Sequence, residues 1–143
     1  MTMNYIKAQQ EILTDYLKEK RVIFVKVDDK VVYGTPFKLY ITPANKVGIN
    51  FELNNISEST IRKILNDKDA KDVYLSEECI KEDKTMIRCF KNGDFKIYVD
   101  EKLLKNFDLP NCTFKGIGAT AGLFVYENEI MVGFVLPIRL KNS

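Results

Sequence analysis

Along the chain, apolar residues recur first at helical and then at strand spacing. Tyr5, Ile6, Ala8, Ile12, Leu13, Tyr16 and Leu17 fall mostly three or four apart with Lys7, Glu11, Asp15 and Lys18 between them, so the spacing predicts an amphipathic helix over Asn4 to Lys20. Val22 to Val27 and Val31 to Tyr33 are β-branched runs separated by Asp28-Asp29-Lys30, which predicts a short hairpin. Phe37 to Thr42 and Val47 to Leu53 read as two further strands, parted by Pro43, Ala44 and Asn45. Asn55 stands three residues before Glu58 at capping-box spacing, and Ile61, Ile64 and Leu65 follow on one face, so a second helix is expected there with Arg62, Lys63 and Lys68 on its other side.

Strand spacing returns after Asp72, in Val73 to Leu75, Thr85 to Phe90 and Phe95 to Val99. The last two flank Asn92-Gly93, a dipeptide favoured in tight hairpins because both turn positions take positive φ. Asp100 is placed to cap a short helix whose Leu103, Leu104 and Phe107 point one way and Lys102 and Lys105 the other, and Pro110 closes it. Thr113 to Ile117, Leu123 to Tyr126 and Met131 to Leu140 complete the set, the last two joined by Glu127-Asn128-Glu129. The pattern predicts an α+β fold: one sheet-rich antiparallel domain over residues 1–143, with two short inner helices and an additional amphipathic helix in front. It divides into that helix (1–20), a first strand-helix-strand half (21–93) and a C-terminal half (94–143).

Composition adds limits. A chain of 143 residues that is 45% hydrophobic, with 9 Phe and 7 Tyr, can bury a core without disulfides or metals. No stretch approaches the ~20 apolar residues of a membrane span, and Met1 to Gln10 lacks the apolar run of a signal peptide, so no membrane partner and a cytoplasmic address are expected. Cys79, Cys89 and Cys112 are odd in number and widely spaced, which fits reduced, buried thiols. The net charge of +2 is spread evenly, so any nucleic-acid contact depends on how lysines are arranged rather than on their number.

The chain contains no histidine, the commonest general base and metal ligand and the usual activator of Ser and Cys nucleophiles. No catalytic residue, metal ligand or cofactor is therefore assigned, and a non-enzymatic protein is expected. Glu77, Glu78, Glu82 and Asp83 match no calcium-loop pattern and, mixed with Lys81 and Lys84, read as a solvated loop. Gly116-Ile-Gly118-Ala-Thr-Ala-Gly122 lies between two strands, whereas phosphate-cradling loops open a helix, so these glycines are read as a bend or a close backbone approach. Tyr33, Phe37 and Tyr40 are candidates for exposed contact residues.

From Asp94 onward the chain resembles the last half-domain of a bacterial DNA sliding clamp, the polymerase III beta subunit. Phe95-Lys-Ile-Tyr-Val-Asp-Glu-Lys-Leu-Leu-Lys-Asn-Phe107 is similar to that family's strand running into a short helix, and Thr113 to Ile117 and Leu123 to Tyr126 to its following strands. Val135-Leu-Pro-Ile-Arg-Leu140 is similar to its hydrophobic-Pro-hydrophobic-Arg-Leu ending. Val47 to Phe90 is read as the other half, and short proteins with this ending are at home among phage and prophage genes. The resemblance implies that Leu136, Pro137, Ile138, Arg139 and Leu140 border a groove that takes partner peptides, and that Arg62, Lys63, Lys68, Lys102 and Lys105 lie on helices facing DNA. Clamps join three such domains per chain whereas this chain has room for one, so a ring of that design would need six copies, and a homo-oligomer is a possible assembly. The leading expectation is a clamp-domain-like protein that engages DNA or a replication protein. The alternatives are a phage-encoded inhibitor that blocks a host defence or nuclease protein, and a protein that sequesters a nucleotide-like ligand through Gly116, Gly118, Arg88 or Arg139.

Overall fold

A computed structural model of the chain describes residues 3–53 and 56–140. Helix α1 (Tyr5–Leu17) begins where the Asn4 side chain accepts the Lys7 N–H. Strands β1 (Ile23–Val27), β2 (Lys30–Thr35) and β3 (Lys38–Pro43) follow as a meander, its first turn held by Asp28 at φ 56°. Helix α2 (Glu58–Ile64) has seven residues. Strands β4 (Lys71–Glu82), β5 (Thr85–Lys91) and β6 (Lys96–Asp100) form a second meander, and β7 (Cys112–Gly116), β8 (Leu123–Glu127) and β9 (Ile130–Val135) a third.

Among the described residues all pairings are antiparallel, in one nine-stranded sheet ordered β1-β2-β3-β9-β8-β7-β4-β5-β6, and with two α-helices they form an α+β fold. Among the described residues no helix is long and apolar enough to cross a membrane. Alternation along the strands sorts the core into two clusters on opposite faces. On the first face Tyr33, Tyr40, Leu123, Val125 and Val135 pack with Ala8 and Ile12 of α1 and with Leu104 and Phe107. On the second, Val32, Leu39, Ile41, Phe124, Tyr126 and Phe134 pack with Ile61 of α2.

The sheet also curls. β5 and β7 are separated by β4, yet Phe90 and Phe114 stack with ring centroids 4.7 Å apart, so the β4–β5–β6 arm folds over the first face. A register shift between Leu75 and Cys79 in β4 supplies the bend. The segment after β9 then reaches the far edge of that arm, where the Ile138 N–H donates to the Tyr98 carbonyl at 2.7 Å. The first face is thereby enclosed by the arm, α1 and the C-terminal segment, while the second is covered by α2 and the residues flanking it, Ile56, Leu65 and Ala70.

Several expectations are corrected. Residues 47–53 form no strand; Val47, Phe51 and Leu53 instead cap the edge of the first cluster, with Phe51 edge-on to Phe24 at 5.5 Å. The second inner helix is one 3₁₀ turn, Glu101–Leu104, capped as expected by Asp100, whose carboxylate accepts the Lys102 N–H. Strand β9 stops at Val135 because the chain reaches Pro137, which has no N–H to donate to a neighbouring strand. Asn55 lies outside the described residues, and Ser57 caps α2 by accepting the Thr60 N–H. The hairpin at Asn92-Gly93 exists, but Gly93 does not take positive φ: the Asn92 side chain accepts the N–H groups of Asp94 and Phe95 and holds a wider loop. Glu77, Glu78 and Glu82 belong to β4 and not to a loop, since that strand runs to Glu82. Of the three thiols only Cys89 is fully buried and Cys79 is exposed, pointing away from the core beyond the bend of β4.

Candidate functional site

The incomplete cover of the second face leaves a cleft. Helix α2 is drawn toward the β1–β2 turn by Arg62, whose guanidinium meets Asp28 at 3.1 Å and Glu58 at 3.0 Å. At the other end of the same face, Ile23, Leu39, Phe124 and Phe134 floor a cavity of about 440 Å³, walled by Ile64 and Lys63 of α2 and by Ile117, Ala121 and Gly122 between β7 and β8. That volume falls within the range of small-ligand and side-chain pockets. Gly122 matters to its shape, because a Cβ there would overlap the Phe134 ring.

The mouth combines apolar and cationic groups. Ile117 and Leu136 line it while remaining 47% and 36% exposed, and Phe37, on the β2–β3 turn, is 63% exposed with its carbonyl accepting the Leu136 N–H at 2.9 Å. Arg21 and Lys63 stand at the rim without an ion-pair partner among the described residues, unlike Arg62. The arrangement suits an apolar side chain with a negative group beside it.

A larger and more polar recess of about 800 Å³ lies where β4 leaves β7, lined by Asp67, Asp72, Tyr126, Lys115 and Glu129 among others. Three of its polar residues engage one another. The Tyr126 hydroxyl donates to Asp67, burial followed by the Asp67 carboxylate raises its pKa, and the Lys115 ammonium sits 5.4 Å over its ring. The first cleft, with free cations at its mouth, is the stronger candidate.

The residues expected to face DNA are divided between two sides. Arg62, Lys63 and Lys68 belong to or follow α2 on the second face, whereas Lys102 and Lys105 belong to or follow the 3₁₀ turn that packs on the first. The sheet lies between the two sets, so they form no common surface. Of the expected groove residues only Leu136 lines the cleft. Pro137 and Ile138 are half-buried, Ile138 being tied to Tyr98, while Arg139 is exposed and Leu140 half-buried. Tyr33 and Tyr40 are core residues, 0% exposed, because strand alternation turns both toward α1; Phe37 alone of the three is a surface residue. Gly116 offers no cradle, since the δ-methyl of Ile97 fills the space of its missing side chain.

The thiols are held protonated where they are covered. Burial raises the Cys89 pKa, and burial with the nearby Glu127 pushes Cys112 up to about 12, so neither carries much thiolate near neutrality. Among the described residues no three His, Cys, Asp or Glu side chains gather as a metal site.

Sequence reasoning missed Arg21, Phe124 and Phe134. For Phe124 and Phe134 the signal was the runs Leu123-Phe124-Val125-Tyr126 and Phe134-Val135-Leu136, apolar at successive positions, which require cover on both faces of the sheet; no pattern in the sequence marks Arg21. No family model, curated protein or solved structure matches the chain.

Proposed function

We propose that this chain is a non-enzymatic, clamp-domain-like binding protein, of the kind carried by phages and prophages, that engages a replication protein by taking a short peptide segment into the cleft on its second face. The observation that carries this is the cleft itself: an apolar floor of Ile23, Leu39, Phe124 and Phe134 left open by a seven-residue helix, with exposed Ile117 and Leu136 at its mouth. Apolar groups that reach the rim favour a macromolecular segment over an engulfed small molecule. The division of basic residues between two faces supports the protein-binding part of the reading over the DNA-binding part.

The test is a titration by fluorescence anisotropy with short peptides that carry two apolar residues next to one acidic residue, beside a duplex DNA arm at low salt, where phosphate contacts are strongest. Peptide binding that Ala121→Trp abolishes by filling the cleft, with an unchanged melting temperature, is expected. Absence of peptide binding at about 1 mM, where ~4 kcal/mol of affinity would register, overturns the reading.

A second reading, an inhibitor that blocks a host defence or nuclease protein, is favoured by Phe37. An exposed aromatic on a tight turn beside an apolar rim is the usual anchor of a protein interface. Capture of one folded host protein that is lost with Phe37→Ala, without any affinity for short peptides, would support this reading over the first.

A further inference from the structure

Helix α1 has two apolar faces, and the fold uses only one. Ala8 and Ile12 are buried against the sheet, yet Ile6 and Leu17 on the outer side are 70% and 71% exposed and Leu13 is 38% exposed. With Gln10 they fall at intervals of four, three and four residues, the spacing of a seam along which two helices pack knobs into holes. We propose that α1 is a self-association helix, and that two copies of this chain pair across a twofold axis with their α1 helices antiparallel.

The outer stripe is self-complementary in that arrangement. Reversal about its midpoint sets Ile6 against Leu17 of the second copy and Gln10 against Leu13 of the second copy, so residue i meets j and j meets i, as an isologous interface requires. A parallel pair would stack Gln10 on Gln10 and bring the two Lys7 side chains to the same level. The antiparallel pair separates the lysines and puts each beside Tyr16 of the other copy, where an ammonium and an aromatic ring attract. The acidic residues of α1 are used within the chain, Glu11 on Lys38 at 3.0 Å and Asp15 on Lys20 at 3.7 Å, so no unpaired carboxylate borders the stripe.

The surface is also held ready. The Gln9 side chain donates to the Lys46 carbonyl at 2.8 Å and accepts the Gly48 N–H at 2.7 Å, which fixes α1 against residues 46–48. A groove of about 370 Å³ runs between them, lined by Ile6, Leu13 and Ile49, and receives the flank of the second helix. The exposed apolar side chains of the stripe are three, Ile6, Leu13 and Leu17, far fewer residues than one partner contributes to a standard interface, so the pairing is weak and reversible. An anionic membrane is the less apt occupant, because a helix lying on one carries a row of Lys and Arg beside its apolar face, and within α1 the one basic residue is Lys7, with Lys18 at its C-cap.

Sedimentation equilibrium of the full chain from about 1 to 300 µM tests this, with a monomer–dimer constant expected in the range of tens of micromolar. Leu17→Glu should abolish the dimer without lowering the melting temperature, since Leu17 touches solvent. Gln10→Leu should tighten it by about tenfold, because a polar residue in a seam costs stability. Monomer throughout for both the native chain and Gln10→Leu, or a dimer indifferent to Leu17→Glu, overturns the proposal. So does binding to anionic vesicles that Leu17→Glu removes while no dimer forms. Ala121→Trp lies on the opposite face of the sheet and should leave the dimer intact, so failure here and failure of the peptide-binding reading are separate results.

Discussion

The Lys38 ammonium is the most consequential charge in the core, and removing its partner should cost far more than removing Lys38 itself. Its side chain is only 4% exposed and meets Glu11 at 3.0 Å, while Glu11 remains 22% exposed. The Tyr40 hydroxyl donates to the same Glu11 oxygen at 3.1 Å, and Asn106 donates to that hydroxyl at 3.2 Å. In Glu11→Ala a buried cation loses its counter-charge and cannot reach water, a situation that costs about 3–5 kcal/mol in buried pairs. The partial exposure of Glu11 argues for the lower end, about 3 kcal/mol, or about 10 °C in melting temperature for a domain of this size. In Lys38→Met the stem is replaced by an apolar chain of similar length, and Glu11 keeps Tyr40, Asn106 and a path to solvent, so the loss should stay near ~1 kcal/mol.

Urea unfolding of both variants and of the double variant Glu11→Ala, Lys38→Met checks this. The double variant should be more stable than Glu11→Ala alone, because the stranded charge is gone. A pH series adds a second reading. Burial, opposed by Glu11, lowers the Lys38 pKa below its ordinary value. The unfolded chain therefore holds this proton up to about pH 10.4 after the folded chain has released it, so the contribution of Lys38 to stability rises with pH through that window. Removing Glu11 should start the rise at a lower pH, and Lys38→Met should remove it. The series must stop near pH 10. Tyr33 is pushed up to about 12 by burial, and burial likewise raises Tyr40 and Tyr126, so these groups stabilise the fold fully below the unfolded tyrosine pKa and progressively less above it. Equal losses from Glu11→Ala and Lys38→Met, with no recovery in the double variant, would refute the reasoning.

Two further outcomes can be checked directly. Gly34→Ala should destabilise by ~3 kcal/mol or more, since the new Cβ would overlap the Lys38 carbonyl of the adjoining strand, whereas Gly116→Ala should cost ~1 kcal/mol because only the movable Ile97 δ-methyl stands in the way; comparable melting temperatures for the two would contradict this. Under native conditions iodoacetamide should modify exposed Cys79 quickly, and buried Cys89 and high-pKa Cys112 only on the unfolding timescale, so mass spectrometry showing two rapid additions would count against the burial described.

Much of the architecture was legible in the residues because hydrophobic alternation is a local signal. Tyr5 to Leu17, Leu123 to Tyr126 and the β1–β2 hairpin around Asp28 lie where period and turn chemistry put them. What was not legible depends on tertiary placement. Val47 to Leu53 has strand composition, yet it pairs with no strand and lies against the first cluster through its side chains, Phe51 settling on Phe24 and Tyr16 without a ladder. Leu103-Leu104 reads as helix, yet Pro110 and the turn at Asn106, with φ 76°, end it after one 3₁₀ turn. The cleft was hidden because its floor comes from β1, β3, β8 and β9, which are distant in sequence and become neighbours only through the order of the sheet.

That order also explains why the open apolar cleft lies on the second face rather than along Leu136 to Leu140. Five strands, β1, β2, β3, β8 and β9, carry apolar residues on both sides, so both faces demand cover. The first receives α1, the curled β4–β5–β6 arm and the segment after Val135, which is held by Phe37 at Leu136 and by Tyr98 at Ile138. With Ile138 tied to the arm edge, the Leu136-Pro137-Ile138 segment acts as a latch, leaving Leu136 alone to contribute to an open surface. The second face receives one helix of seven residues, held toward one end by the Arg62–Asp28 contact. An uncovered apolar area with Arg21 and Lys63 at its rim follows from that mismatch. A partner that supplies the missing part of the layer would bury apolar area without displacing any element of the fold.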